Sequence, residues 1–457
     1  MEKREKFGSR LGFILISAGC AVGLGNVWRF PYIVGQYGGA AFVLLYLFFL
    51  VVLAMPIMSM EFSVGRASRQ SVATSFRKLE PKGTKWHLFG YFGIAGNYLL
   101  MMFYTTIAGW MLYYLFDMAR GGFEGLSTTQ VEQKFSEITA DPVLGICCML
   151  LAVLLGFLVC SLGLKNGVEK ITKGMMTALF VVMLVLVVRS MTLPGAADGL
   201  SFYLLPDFSK MVENGLWDAV FAAMGQAFFT LSVGIGSMAI FGSYIGKERT
   251  LLGETVNITV LDTLVAVTAG LIIFPACAAF GVSPDSGPPL VFVTLPNIFN
   301  EMPLSRLWGS LFFLFMSFAA LSTVIAVFEN ILSFAMDLWG WTRKKAVAVN
   351  ILLVSVLSLP SAMAYNLLSG VAPFGSGSTI IDLEDFIVSN NLLPLGALVY
   401  LLFCVTKKGW GWDNFIKEVN TGKGLRFPTS IRFYVTYVLP VIMLVIFVGG
   451  YIVKFFG

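Results

Sequence analysis

The stretch GCAVGLGNVWRFPY, residues 19–32, lies inside an apolar run long enough to cross a bilayer. It nevertheless carries Gly19, Gly23 and Gly25, an amide at Asn26 and a charge at Arg29. Glycine inside a helix costs about 1 kcal/mol relative to alanine, and a backbone group freed in lipid must find a partner in protein, water or ligand. A helix broken here therefore needs something polar to meet its loose ends. Carbonyls freed along 19–26 suit a cation. The N-terminus of the resumed half-helix presents N–H groups and a positive dipole end to a carboxylate. The plain alternative is that the glycines only let helices pack closely; Asn26 and Arg29 at the same depth weigh against it.

Working outward, a chain of 457 residues with 57% hydrophobic and 12% charged content cannot keep so much apolar surface out of water as a soluble globule. The opening MEKREKF has the charge of a signal-peptide start, but the apolar run continues past Arg29 without a small-residue cleavage site, so it reads as a retained span. With about 20 apolar residues per crossing, spans fall at roughly 10–35, 39–64, 89–117, 142–161, 167–188, 214–243, 255–281, 305–336, 345–365, 383–406 and 431–455. The expected architecture is thus an all-α polytopic membrane protein with eleven transmembrane helices. Of the 31 basic residues, 24 lie in 1–10, 66–85, 165–173, 247–249, 343–345 and 407–432, which places these segments and the N-terminus in the cytoplasm. The odd count puts the C-terminus outside. The outer segments 190–213 and 282–304, with Pro194, Pro206, Pro284, Pro288 and Pro289, are expected to form short helices over a vestibule.

Several function classes drop out. The net charge of +5 is accounted for by the cytoplasmic loops, so nucleic acid is not implied. Cys20, Cys147, Cys148, Cys160, Cys277 and Cys404 all lie in apolar stretches and read as packing residues. His87 sits in a basic loop away from any acid pair or thiol at catalytic spacing, which argues against an enzyme.

The two halves of the chain are related. SAGCAVGLGNVWRF in the first span and FFTLSVGIGSMAIF in the sixth share a small-x-apolar-Gly-x-Gly core five spans apart. A repeat of five spans inverts its orientation, and glycine-interrupted helices at matching places are the sequence pointer to a transporter site. The first repeat is expected over 10–188, the second over 214–406, with helix 431–455 outside both, all in a single transporter domain of residues 1–457 with discontinuous helices 1 and 6. The remaining ionisable residues inside spans are Glu61, Asp117, Asp218, Asp262, Glu329 and Asp385.

GCAVGLGNVWRFPY, followed by YGGAAF at 37–42, QAFFTLSVGIGS at 226–237, AALSTVIAV at 319–327 and LEDF at 383–386, resembles the neurotransmitter:sodium symporter family, bacterial amino-acid transporter branch, over nearly the whole chain. The family's bacterial leucine transporter is itself built on an inverted repeat. The resemblance implies two sodium sites and no organic cofactor. One site would use the Ala21 carbonyl, Asn26, Thr230 and the substrate carboxylate, with a further ligand from the seventh span. The family usually has Asn there; registering that helix on Gly270 puts Asp262 at the place, with Asn257 as a competitor. A carboxylate is a hard oxygen ligand for sodium, and its fixed charge implies chloride-independent transport. The second site would use the carbonyls of Gly19, Val22 and Ala319 and the hydroxyls of Ser322 and Thr323, although two such hydroxyls also back-bond to their own helix.

By the same resemblance the substrate pocket is lined by Cys20, Ala21, Gly23, Leu24, Gly25, Leu100, Tyr104, Phe229, Thr230, Ser232, Ile235, Thr323 and Val327. Amine carriers of the family place Asp where this chain has Gly23, so an amino acid with its own carboxylate is implied, hydrophobic or aromatic in side chain. Arg29 with Asp385 would gate the outside, and Arg4 with Asp337, near Tyr244, the inside. The expected function is sodium-coupled import of such an amino acid across the plasma membrane of a bacterium, with sodium ions, the amino acid and the lipid bilayer as partners. The alternative is a sodium-coupled carrier of a betaine or another small osmolyte.

Overall fold

The computed structural model describes residues 5–213, 215–282 and 290–456. Among them the regular structure is helical, with no strand, as suits a chain whose backbone must pair within itself in lipid. Nine continuous helices among the described residues are long and apolar enough to cross a bilayer: Ala40–Ser68, Trp86–Ala119, Pro142–Ser161, Leu164–Met191, Leu251–Ala279, Ser305–Trp339, Arg343–Ala362, Ile380–Val405 and Thr429–Ile452. A tenth crossing is the pair Arg10–Ala21 and Gly25–Gln36, bent by 55° at the break. The expected span 214–243 divides into Leu216–Thr230 and Ser237–Tyr244, each too short to cross alone.

Short helices Ala196–Leu204, Phe208–Glu213 and Leu290–Asn300 fall within segments 190–213 and 282–304. Another, Thr128–Ala140, is an addition to the sequence-based expectation; Ser127 and Gln130 cap it reciprocally. Pro284, Pro288 and Pro289 lie outside the described residues.

Local chemistry explains both interruptions. In the first helix Ser9 Oγ accepts from the Gly12 N–H at 3.0 Å and starts the helix. The helix stops where Val22 turns extended, with ψ 94°. In the second, Ser232, Gly234 and Gly236 have φ of 50°, 112° and 85°; glycine takes such angles without steric cost, so the helix cannot pass through and restarts at Ser237.

The first interrupted pair packs on Ser305–Trp339 and Leu251–Ala279, and the second on Ala40–Ser68, with Ser237–Tyr244 also against Ser305–Trp339. Ser305–Trp339 is the most buried of the nine long helices, and Thr429–Ile452 the least. The latter exposes Phe433, Tyr437, Val441, Leu444 and Val448, an apolar face suited to lipid.

Candidate substrate and sodium sites between the broken helices

At the first break, glycine is required by what approaches it. A Cβ on Gly23 would lie 2.5 Å from Tyr104 Oη and 2.8 Å from Thr323 Oγ1, and one on Gly25 would lie 2.7 Å from a Phe229 ring carbon. Tyr104 Oη accepts from the Leu24 N–H at 3.1 Å and bonds with the Thr323 hydroxyl. The structure brings Cys20, Ala21, Gly23, Leu24, Gly25, Leu100, Tyr104, Phe229, Ser232, Ile235 and Thr323 together around one pocket, along with Val388 and Leu393. None of these carries a charged side chain.

Two expected lining residues stand elsewhere. Thr230 turns its hydroxyl to Asp262 Oδ2, at 2.9 Å, and Val327 is fully buried and does not line the pocket. Asp262, rather than Asn257, faces the first break: Asn26 Nδ2 donates to its Oδ1 at 2.8 Å and its carbonyl at 3.0 Å. Asn26 and Asp262 are fully buried, and Asn26 Oδ1 has no hydrogen-bond partner among the described residues. A carboxyl group and an unpartnered amide oxygen, side by side, make a donor set suited to a hard cation.

A second oxygen cluster surrounds Thr323. Its Oγ1 lies 3.2 Å from the Gly19 carbonyl, 3.5 Å from Cys20, 3.3 Å from Val22 and 3.4 Å from Ala319. One hydroxyl proton cannot satisfy four carbonyls, and Ser322 Oγ gives its own to Ala319 at 2.9 Å. The back-bonding alternative therefore describes Ser322, whereas Thr323 reaches across to the broken helix.

The second break is held by residues that sequence reasoning left without a role. Glu61, fully buried, accepts from the N–H groups of Gly234 at 2.9 Å, Met238 at 2.8 Å and Ala239 at 3.4 Å, meeting the open N-terminus of Ser237–Tyr244. Gln226 Nε2 donates to the Gly25 carbonyl at 3.0 Å and ties the two breaks together. Glu61 stands out in the sequence as an intramembrane charge and Gln226 begins the second motif; their partners emerge only from the fold.

Outside the pocket, Leu24, Gly25, Tyr104 and Phe229 also form the floor of a wider vestibule containing Trp28, Arg29, Trp110, Tyr365 and Asp385. Tyr104 and Phe229 thus stand between the two compartments. The Arg29 guanidinium stacks on Phe229, 4.5 Å from the ring centroid. The expected Arg29–Asp385 contact is not made among the described residues: both face the same cavities, but Asp385 accepts from Ser389 Oγ at 2.8 Å and Arg29 Nη1 has no hydrogen-bond partner there. At the vestibule mouth, burial and then the Asp382 charge hold the Tyr365 phenol above its ordinary pKa, which keeps it a neutral donor.

On the inner side Arg4 lies outside the described residues, and Asp337 accepts from the Ser71 N–H at 2.7 Å. The neighbouring lock runs through Arg343. It pairs with Glu329 through two bonds of 2.6 and 2.9 Å and with Glu5 at 3.1 Å. Tyr244 Oη donates to Glu329 at 2.9 Å. The first helix is also held by Glu169, which accepts from Gly8 N at 2.6 Å and Ser9 Oγ at 2.8 Å, and by Arg10 on Glu254 at 2.9 Å. Sequence reasoning missed the pairing of Arg343 with Glu5, which are 338 residues apart and meet only in the fold.

The profile of the sodium:neurotransmitter symporter family matches residues 4–123 and 141–455. The chain belongs to that family, whose members are sodium-dependent transporters and not enzymes. It is similar to a sodium-dependent transporter of Bacillus subtilis strain 168, with 33% identity over 98% of each chain. Its identity to the sodium- and chloride-dependent GABA transporter 2 of Rattus norvegicus is 25%, over 97% of this chain and 79% of the relative. Among solved structures, MhsT in complex with L-phenylalanine superposes with a TM-score of 0.87 at 36% identity, over 98% of this chain and 100% of that one. The chain is therefore a multi-pass, sodium-dependent membrane transporter of the leucine-transporter-like fold.

Proposed function

We propose that this protein imports a hydrophobic or aromatic L-amino acid together with sodium by alternating access, independently of chloride, through an eleven-span fold of two inverted five-span repeats. The observation that carries the reading is a pocket between two broken helices whose walls bear no charged side chain, with Tyr104 and the Leu24 N–H at one end and apolar side chains around it. A zwitterion brings both charges itself; its carboxylate is met by the Tyr104 hydroxyl and half-helix N–H groups. Gly23 leaves space for it, because any side chain there strikes Tyr104 and Thr323. MhsT, similar over the whole chain, binds L-phenylalanine, which favours the same class here over a betaine or osmolyte.

In this reading the first sodium is held by Ala21, Asn26, Thr230, Asp262 and the substrate carboxylate, and the second by Gly19, Val22, Ala319, Ser322 and Thr323. Asp262 supplies the fixed negative charge that makes chloride dispensable. Arg29 and Asp385 close the outside by approaching across the vestibule; Arg343, Glu329, Glu5 and Tyr244, with Arg4 and Asp337, close the inside. The membrane is the bacterial plasma membrane, N-terminus in the cytoplasm and C-terminus outside. Uptake of each of the twenty amino acids into proteoliposomes, with an inward sodium gradient and with chloride replaced by gluconate, tests it. Sodium-driven accumulation of apolar amino acids in both buffers is expected. Accumulation of a betaine alone, or collapse in gluconate, would overturn the corresponding part.

A further inference from the structure

One end of the inner pocket is closed by Ile380–Val405, a helix that belongs to neither broken pair. Val388 and Leu393 both line the pocket, and both are buried. They are five residues apart. In an α-helix of 3.6 residues per turn such a pair lies about 140° apart and cannot share a wall. Here the chain forms a wide π turn from Ile387 to Leu392. With roughly 4.4 residues in such a turn, the separation falls to about 50°. The wide turn is what brings both aliphatic side chains to one surface.

Backbone contact fixes that surface against the second break. A Cβ on Gly396 would lie 2.0 Å from the Gly234 carbonyl oxygen, and one on Gly234 would lie 2.3 Å from the Leu393 carbonyl oxygen. The Gly234 N–H is in turn held by Glu61 at 2.9 Å. Segment 231–236, which carries the pocket residue Ile235, and the helical stretch beginning at Leu393, just after the turn, therefore keep a fixed spacing.

We propose that Val388 and Leu393 are specificity-determining residues: they form the far wall of the compartment for the substrate's side chain, and the wide turn sets its length. The inference rests on the amino-acid reading above and adds which residues limit side-chain size. Shortening the wall admits larger side chains, and lengthening it excludes them. One methylene in a hydrophobic pocket is worth about 10- to 200-fold in discrimination.

The test is sodium-dependent binding of labelled L-leucine to the purified full-length protein, displaced by unlabelled alanine, valine, leucine, phenylalanine and tryptophan. Val388→Ala and Leu393→Ala should each raise the affinity ratio of tryptophan to leucine about tenfold. Val388→Ile, a one-methylene change that keeps the packing, should weaken tryptophan and spare alanine and valine. Unchanged ratios in these variants, with Ile235→Ala shifting them, would overturn the proposal while leaving the amino-acid reading intact. Wild-type protein that binds no amino acid with sodium would instead overturn that reading. Should an alanine variant fail to fold, Val388→Ile decides by the same ratios.

Discussion

Replacing Asp262 by Asn isolates a single charge. The carboxylate accepts from Asn26 Nδ2 at 2.8 Å and Thr230 Oγ1 at 2.9 Å, fully buried. Asparagine keeps both contacts: its oxygen still accepts from Asn26, and its amide donates to Thr230 once that hydroxyl rotates. What is lost is the negative charge. At an effective dielectric near 20, unit charges about 4 Å apart interact by about 4 kcal/mol. The amide dipole recovers part of this, and the carboxylate's own desolvation cost is relieved, so the net loss is about 1.5–3 kcal/mol, the range for a hydrogen-bonded charge. That corresponds to sodium binding weaker by about 10- to 100-fold. The assay is the sodium concentration for half-maximal amino-acid binding by D262N in chloride and in gluconate, with thermal unfolding as a control. The weakened variant should respond to chloride and the wild type should not. Wild-type sodium dependence in a folded D262N protein would refute the assignment of Asp262.

Three further substitutions address other parts of the site. Gly23→Ala puts a methyl 2.5 Å from Tyr104 Oη and 2.8 Å from Thr323 Oγ1; amino-acid binding should fall by at least about 100-fold, read by the same displacement assay. Tyr104→Phe removes the acceptor of the Leu24 N–H and a hydroxyl that lines the pocket; affinity should drop about 10- to 100-fold, with substrates ranked as before. Arg343→Ala strips Glu329 of its bidentate partner and releases Glu5. Loss of one member of a buried pair costs about 3–5 kcal/mol, so a lower unfolding temperature and faster thiol labelling of a cysteine introduced at Ser9 are expected.

The distance between what is readable in the sequence and what is not has a physical pattern. Helix spans follow from apolar length alone, and the boundaries agree to a few residues, Ala40–Ser68 against 39–64 for instance. The breaks are readable because glycine marks its own backbone freedom: Gly234 and Gly236 take positive φ, and Gly23 sits where no Cβ fits. Asp262 needs only a helix register, and it faces Asn26 and Thr230 as that register requires. Interactions between distant elements are not readable. Glu61 to Gly234 and Arg343 to Glu5 depend on how helices are rotated and tilted, which pairwise spacing does not encode.

Val388 and Leu393 are the sharper case, because local pattern misdirects there. A 3.6-residue periodicity assigns them to different faces, and only the extra residue in the turn 387–392 reunites them. Such a turn frees backbone groups that the α ladder would pair, a cost that persists in a packed bundle when the altered register does something the regular helix cannot. Here that is to bring two aliphatic side chains onto the pocket wall while Gly396 keeps its backbone contact with Gly234. Deleting one residue of 387–392 and restoring α geometry replaces six steps of about 82° by five of about 100°, about 490° by about 500°, so the flanking helices keep their relative facing. Asp385, which faces the vestibule together with Arg29, would keep that facing. A single-residue deletion between Val388 and Leu393 would leave the pair four α residues, about 40°, apart and still on one wall, so it should preserve the substrate ranking, whereas point changes at Val388 or Leu393 should alter it.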